Sequence, residues 1–318
     1  GPRYRPFASP PYRVAMGLEN LSLDDWIEID DAFRDQLAEK RRLLAERHAE
    51  VFQSLPESTD PSREVLTLLG EHLPRRFPAL FRRRGDTLDN AATAERWNLA
   101  QTDLHPLDLA GRLVQEDLCV MQAGPEGYRL TAASLCFPTR WRLAEKIGKP
   151  MQGIHAPVPL YAERLARPVD RFFDHLRAER PVARVNFSLL TDPALFQPAG
   201  HGRREADPTI TAENAGARVH LRMERQTLRR LPCSAAILFT IRVHQCPLAV
   251  FEDDPRGAAD LAASLRTMPE GVALYKSLPV LADPVLAYLD RLSGEGGQSV
   301  QLQPGARMAP AARPGQVG

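Results

Sequence analysis

Residues 118–133 read Leu118-Cys-Val-Met-Gln-Ala-Gly-Pro-Glu-Gly-Tyr-Arg-Leu-Thr-Ala-Ala133, and they set the class of fold. Two largely apolar runs separated by a Gly-Pro-Glu-Gly turn are typical of a β-hairpin. Strand patterns return at residues 183–189, 218–230 and 235–244, and a turn at 231–234 joins the last two in a second hairpin. The five runs predict a mainly antiparallel, five-stranded sheet in an α+β protein.

Helical patterns surround these strands. Their apolar residues recur with the spacing of one helix face. The predicted helices cover residues 22–52, 63–73, 107–115, 141–147, 161–176, 257–265 and 283–292. We predict a single domain over residues 1–293, with a helical N-terminal part (20–116), a sheet core (117–250) and closing helices (251–293). Residues 294–318 are rich in Gly, Pro, Gln and Ala, which predicts a disordered tail.

The composition excludes several classes of protein. A net charge of +1 over 318 residues is too balanced for a surface that binds nucleic acid. No apolar run approaches the ~20 residues that cross a bilayer, and the first residues lack an apolar secretory core. We therefore expect a cytoplasmic protein with no membrane and no nucleic-acid partner. Nucleotide-binding and simple hydrolase motifs are also missing.

The four cysteines contain no Cys-x-x-Cys pair of the kind that zinc and iron–sulfur sites use. We expect reduced thiols and no electron carrier in this chain. Among the eight histidines, His155 stands out in the stiff, apolar turn Gly153-Ile-His-Ala-Pro-Val-Pro159. An imidazole there can ligate iron, but from the residues alone a packing role is the more common one.

The most unusual segment is Arg222-Met-Glu-Arg-Gln-Thr-Leu-Arg-Arg-Leu-Pro232, because so many charges on one strand are costly to bury unless they are paired or bind a ligand. Alternation along the strand places Arg222, Glu224 and Gln226 on one face and Met223, Arg225 and Thr227 on the other. One face can line a pocket. A solvent-exposed edge with surface ion pairs explains the pattern equally well.

Together, several motifs resemble the α subunit of haem-dependent oxidative N-demethylases. They are Arg5-Pro-Phe7, Met16-Gly-Leu18, Trp26-Ile-Glu-Ile-Asp30, Gly153 to Pro159, Val169-Asp-Arg-Phe-Phe173, Arg184-Val-Asn186 and Arg222 to Pro232. The resemblance spans nearly the whole chain before residue 293. It implies a PAS-like fold, which the order of hairpin, helices and three strands also fits, and a haem b cofactor.

The resemblance further implies oxidation of a small secondary amine, such as dimethylamine, by O2 to a primary amine and formaldehyde. Electrons would come from NADPH through separate flavin and iron–sulfur subunits. The family's histidine motif falls on His155, which makes that residue the expected iron ligand. Its Glu-Arg-Gln motif falls on Glu224, which is the expected carboxylate for the ammonium group. Arg184, Arg222, Arg225 and Arg242 are candidate partners of the haem propionates.

Two other readings stay open at this point. A PAS-like haem domain can be a sensor or gas-binding protein without turnover, although the chain shows no output segment. A haem-free interaction protein in which the prolines merely shape a loop is the third reading. The colour of the purified protein separates this last reading from the other two.

Overall fold

The computed structural model describes residues 1–14, 16–154 and 166–294. In these ranges the strands are β1 (Glu19–Asn20), β2 (Phe52–Ser54), β3 (Phe81–Arg84), β4 (Thr87–Asn90), β5 (Glu95–Asn98), β6 (Asp117–Gly124), β7 (Gly127–Ser134), β8 (Val182–Leu190), β9 (His220–Arg230) and β10 (Ile237–Pro247). The helices are α1 (Phe33–Glu46), α2 (His48–Val51), α3 (Thr59–Arg76), α4 (Pro106–Gly111), α5 (Met151–Ile154), α6 (Ala166–His175), α7 (Ala215–Arg218), α8 (Pro255–Arg266), α9 (Glu270–Tyr275) and α10 (Ala282–Ser293).

The centre of the fold is a seven-stranded sheet in the order β1-β8-β9-β10-β6-β7-β2, with every pair antiparallel. Its five central strands are the five that the sequence predicts, so the α+β class and the large antiparallel sheet are confirmed. The short strands β1 and β2 extend the sheet to seven. A separate three-stranded sheet, β3-β4-β5, lies in the part of the chain that was predicted to be helical.

The predicted helix over residues 22–52 is wrong at its start and is interrupted at Arg47, whereas its end lies within one residue of Val51, the last residue of α2. The backbone N–H groups of Glu28 and Asp30 donate to the side chains of Glu116 and Gln115, at 2.9 and 3.3 Å. These bonds hold residues 26–30 in a non-helical conformation, and α1 begins only at Phe33. At the other end, residues 52–54 leave the helix to pair with β7.

Other helix predictions fare differently. The helices over 63–73, 257–265 and 283–292 are confirmed as α3, α8 and α10. Residues 107–115 are helical only as far as Gly111, and 141–147 contain a single 3-10 turn at Leu143–Glu145. Of the helix predicted over 161–176, residues 161–165 lie outside the described residues, and the rest forms α6.

Two apolar cores hold the sheet in place. The larger core packs α1, α3 and α4 against the sheet and includes Leu37, Leu69 and Leu238, all almost fully buried. The smaller core packs α8 and α10 against the far side of β8 and β9, with Phe187 and Leu261 among its members. The remaining face of the central strands is free to line a cavity. Among the described helices, none is both long and apolar enough to cross a membrane.

Candidate functional site

A cavity of about 370 Å³ lies on one face of the five central strands. Because side chains alternate along a strand, the residues that form its floor come from every second position of these strands. The apolar part of the floor consists of Cys119, Met121, Leu130, Leu228, Phe239 and Ile241. The polar part consists of Arg184, Asn186, Ser188, Glu224 and Gln226, all on β8 and β9. The floor therefore has an apolar end and a charged end.

Three regions of the chain form the walls. The N-terminal segment contributes Tyr12, Arg13, Val14, Met16 and Leu18. The segment after β7 contributes Thr139, Arg140, Trp141, Glu145, Lys146, Met151 and Ile154, and α6 contributes Phe172 and Phe173. The segment after β8 and the region of α9 contribute His201, Val272, Tyr275 and Lys276. A volume near the lower end of the range of ligand sites, with apolar walls and a few polar groups, is typical of a binding pocket.

Glu224 is held at the charged end by two hydrogen-bond donors. It is 8% exposed. The hydroxyl of Thr139 donates to Oε1, and Nε2 of Gln226 donates to Oε2 at 3.0 Å. Both donors are themselves oriented: Arg222 Nε donates to Thr139 Oγ1 at 2.9 Å, and Arg184 Nε donates to Gln226 Oε1 at 2.9 Å. Each carboxylate oxygen of Glu224 thus accepts one hydrogen bond, which fixes the orientation of the group.

Three cations share this end of the cavity. The guanidinium of Arg184 contacts Gln226 and the main-chain oxygen of Met16. Lys276 Nζ donates to Asn186 Oδ1 at 3.0 Å and to the main-chain oxygen of Phe187 at 2.6 Å. Arg140 donates to the main-chain oxygens of Leu189 and Lys276. Within the described chain, none of the three forms an ion pair.

Burial changes the pKa values of these groups. It lowers the pKa of Arg140 to about 10, with help from the charges of Arg203 and Arg222. It also lowers the pKa of Lys276 to about 8; Arg184 and Arg140 act in the same direction, and Glu224 opposes them. Burial and the charge of Glu224 raise the pKa of the neighbouring Tyr275 to about 12. The site therefore contains a lysine that is easily deprotonated beside a tyrosine that stays neutral.

The sequence-predicted arginines separate into two groups. Arg184 lines the cavity, whereas Arg222, Arg225 and Arg242 are not among its lining residues. Arg222 is fully buried and donates to the main-chain oxygens of Phe137 and Leu195, at 2.8 and 3.0 Å, besides Thr139. Arg222 supports Glu224 through the hydroxyl of Thr139. The two residues share one face of β9, as the alternation of side chains along a strand predicts.

Arg225 on β9 and Arg242 on β10 both contact the Trp26-Ile-Glu-Ile-Asp30 segment or the residue before it. Arg225 donates to the main-chain oxygens of Asp25 and Trp26, and Arg242 pairs with Asp30 at 2.6 Å. Glu28, in the same segment, has a pKa of about 2. Burial alone would raise this pKa, but hydrogen bonds from His244 and Tyr4 and the charge of Arg225 outweigh burial. This network fixes the N-terminal loop to the sheet.

His155 lies outside the described residues, so its side chain cannot be described. Its chain neighbour Ile154 lines the cavity. A different histidine, His201, lines the cavity, with its ring stacked on Tyr275 at a centroid distance of 4.4 Å. His244 is instead bound to Glu28. Across ranges 1–14, 16–154 and 166–294, no group of three His, Cys, Asp or Glu side chains is arranged to hold a metal ion.

Sequence reasoning missed Thr139, Arg140, Tyr275 and Lys276. The first two follow β7 in an irregular connection, and the other two come at the end of a short helix that the sequence pattern did not predict. One signal was available for Lys276. The chain contains only four lysines among its 41 basic residues, so each lysine is a departure from the prevailing use of arginine.

Fold and cavity together define a class: an α+β protein whose antiparallel sheet and covering helices enclose an amphipathic pocket. The pocket has one buried carboxylate and several cations that form no ion pair among the described residues. Residues 17–286 match the family described as haem-dependent oxidative N-demethylase, alpha subunit-like, and the chain belongs to that family. The resemblance seen in the motifs is thereby confirmed. The family's description names a haem-dependent oxidoreductase and an alpha subunit, which implies further subunits.

Proposed function

We propose that this chain binds haem b in the described cavity, with His155 as the iron ligand, and oxidatively demethylates a small secondary amine such as dimethylamine. The products would be the primary amine and formaldehyde. The observation that carries the proposal is the setting of Glu224, a buried carboxylate that accepts hydrogen bonds from two donors at the charged end of the cavity floor. Such a group attracts a compact ammonium ion and disfavours a neutral ligand.

The cavity residues fit a haem group by their chemistry. An apolar macrocycle suits the floor of Met121, Leu228 and Phe239 and the opposing rings of Phe172 and Phe173. Its two propionates need cationic partners. We assign Arg184 to one of them, because it faces the cavity without a carboxylate partner in the described chain. Arg140 is a further cation at the same end of the cavity.

Among the predicted propionate partners, Arg222, Arg225 and Arg242 are less suited to this role, because their guanidinium groups already bind carbonyls and carboxylates away from the cavity. The PAS-like description of the fold also belongs to the proposal. It is supported by the five central antiparallel strands, with the connection between the second and third covering one face.

When bound, the haem would supply activation of dioxygen and oxidation of the N-methyl group. The protein residues would do the rest. Glu224 would bind the ammonium group, and Thr139 and Gln226 would fix the direction of the carboxylate. The apolar residues would keep water from the methyl group. Electrons would come from NADPH through flavin and iron–sulfur subunits, consistent with the alpha-subunit description of the family.

A pair of histidine variants tests the cofactor and its ligand together. The purified chain is titrated with haemin, and the Soret band is followed in the oxidised and reduced states. His155→Ala should lose the ligated spectrum or the haem itself. His201→Ala is the matched control, because it removes the described imidazole at the same cavity; it should retain the spectrum.

Each other outcome has a clear meaning. Loss of the spectrum in His201→Ala alone would transfer the iron to His201. An unchanged spectrum in both variants would eliminate both ligands. Wild-type protein that binds no haemin would refute the proposed function and favour a haem-free interaction protein.

A further inference from the structure

Lys276 places a primary amine at the charged end of the cavity. Two acceptors contact its Nζ, the side-chain oxygen of Asn186 and the main-chain oxygen of Phe187. In the described ranges no carboxylate lies within 4 Å of this nitrogen. A neutral amine has two N–H bonds and one lone pair. The two acceptors therefore satisfy the neutral form completely and leave its lone pair free.

The backbone around this lysine is fixed. The guanidinium of Arg140 binds the main-chain oxygen of Lys276 with one nitrogen and that of Leu189 with the other, at 3.1 Å. The next residue, Ser277, has a left-handed backbone with φ 55° and donates its hydroxyl to the main-chain oxygen of Gly200 at 2.7 Å. These contacts hold the amine at the cavity instead of letting it swing to the surface.

Burial is the largest influence on the pKa of Lys276, and it favours the neutral, reactive amine. Arg184 on β8 and Arg140 act in the same direction as like charges, whereas the carboxylate of Glu224 on β9 opposes them. With a pKa of about 8, about one-tenth of this amine is neutral at pH 7, against about 0.03% for an ordinary exposed lysine. Desolvated lysines beside other cations are a known means of making an amine nucleophilic.

We propose that Lys276 is a covalent capture site for small aldehydes, with formaldehyde as the best-fitting member of the class. The Nζ lone pair attacks the carbonyl carbon and forms a C–N bond. The carbonyl π electrons move to oxygen, which receives the proton that nitrogen loses. The carbinolamine then releases water to give an imine, and hydrolysis reverses both steps. No oxidant or reductant is consumed.

This inference rests on the proposed function only for the source of the aldehyde. If demethylation takes place in the cavity, formaldehyde is formed beside Lys276, and the amine would retain it until a partner accepts it or water releases it. The site would then limit the escape of a reactive product. The capture itself requires only the lysine and an added aldehyde, so it can be tested without turnover.

The test uses reductive trapping on the full chain. Isotopically labelled formaldehyde and cyanoborohydride are added near neutral pH for short fixed times, and methylation of each lysine is measured by peptide mass spectrometry. The other three lysines are internal references. Lys149 is exposed, Lys146 lines the same cavity but donates to the main-chain oxygen of Ile154, and Lys40 is buried beside Asp117.

We expect Lys276 to be labelled about ten-fold faster than Lys149, since access to the cavity offsets part of its larger neutral fraction. Lys276→Arg should keep the charge and lose the label, and Lys149→Arg should leave the label on Lys276 unchanged. Labelling of Lys276 no faster than that of Lys149, or preferential labelling of Lys146, would overturn the proposal. Capture of formaldehyde without amine turnover would refute only the proposed demethylation. Turnover without capture would refute only the role proposed for Lys276.

Discussion

Replacing Glu224 by Gln tests the amine site with a change of one atom. The carboxylate accepts from Thr139 and Gln226, and both donors are held in direction by Arg222 and Arg184. In Glu224→Gln, the new side-chain NH2 group must therefore point at one of these two donors, from which it cannot accept a hydrogen bond. A hydrogen bond in which one partner is charged contributes about 1.5–3 kcal/mol, so the ammonium should bind about 10- to 150-fold more weakly.

The assay is a titration of the haem-loaded protein with dimethylamine, followed by absorption or calorimetry. Glu145→Gln is the matched control, because Glu145 is a carboxylate at the same cavity that lies exposed. It should change the Kd by less than about two-fold, as expected for a solvent-screened charge. Haem affinity should change little in either variant. An equal Kd for wild type and Glu224→Gln would refute the assignment of Glu224.

Three further variants test the surroundings of this site. Thr139→Val should destabilise the fold by about 1–3 kcal/mol in urea unfolding and weaken amine binding, since it leaves a buried donor on Arg222 and an acceptor on Glu224 unpaired. Thr139→Ser should restore both properties. Equal behaviour of the Val and Ser variants would argue against a role for the hydroxyl. Arg184→Met should increase the rate of haem dissociation by about ten-fold through loss of a propionate partner. Arg256→Met changes an exposed arginine and should leave this rate unchanged. Equal haem retention in the two variants would remove Arg184 from the site. Because the pKa of Glu28 is lowered from 4.5 to about 2, its stabilisation is fully present above pH 4.5 and lost as the pH falls towards 2. Glu28→Gln should remove on the order of 3 kcal/mol of this pH dependence, and parallel unfolding curves of the two proteins would contradict the assignment.

The strand pattern of β9 was informative because alternation is a local property. Alternation alone predicts that Arg222, Glu224 and Gln226 share one face of the strand, and the structure confirms that face. Alternation does not predict which distant residue contacts the side chains on that face. Thr139, more than eighty residues earlier in the chain, decides how the carboxylate and the arginine are joined.

The wrong predictions also arise from contacts between residues that are far apart in the chain. Residues 22–32 have the apolar spacing of a helix, but side chains from residues 115 and 116 capture the backbone donors that a helix would use. The region of 81–98 is rich in charge and was assigned to the helical part, yet it forms β3 to β5 through turns at Gly85 and residues 91–94. Lys276 enters the cavity by tertiary packing alone. Such long-range contacts are invisible to a local pattern.

The most direct measurement is a single-turnover experiment. The haem-loaded chain is given enough chemical reductant to supply the two electrons that each demethylation consumes, mixed with dimethylamine and exposed to oxygen. The loss of amine is then compared with the formation of methylamine and formaldehyde. The account predicts that both products appear in equal amounts, and that Glu224→Gln forms them far more slowly. A stable oxygen complex with no loss of amine would contradict the account and favour a gas-binding protein.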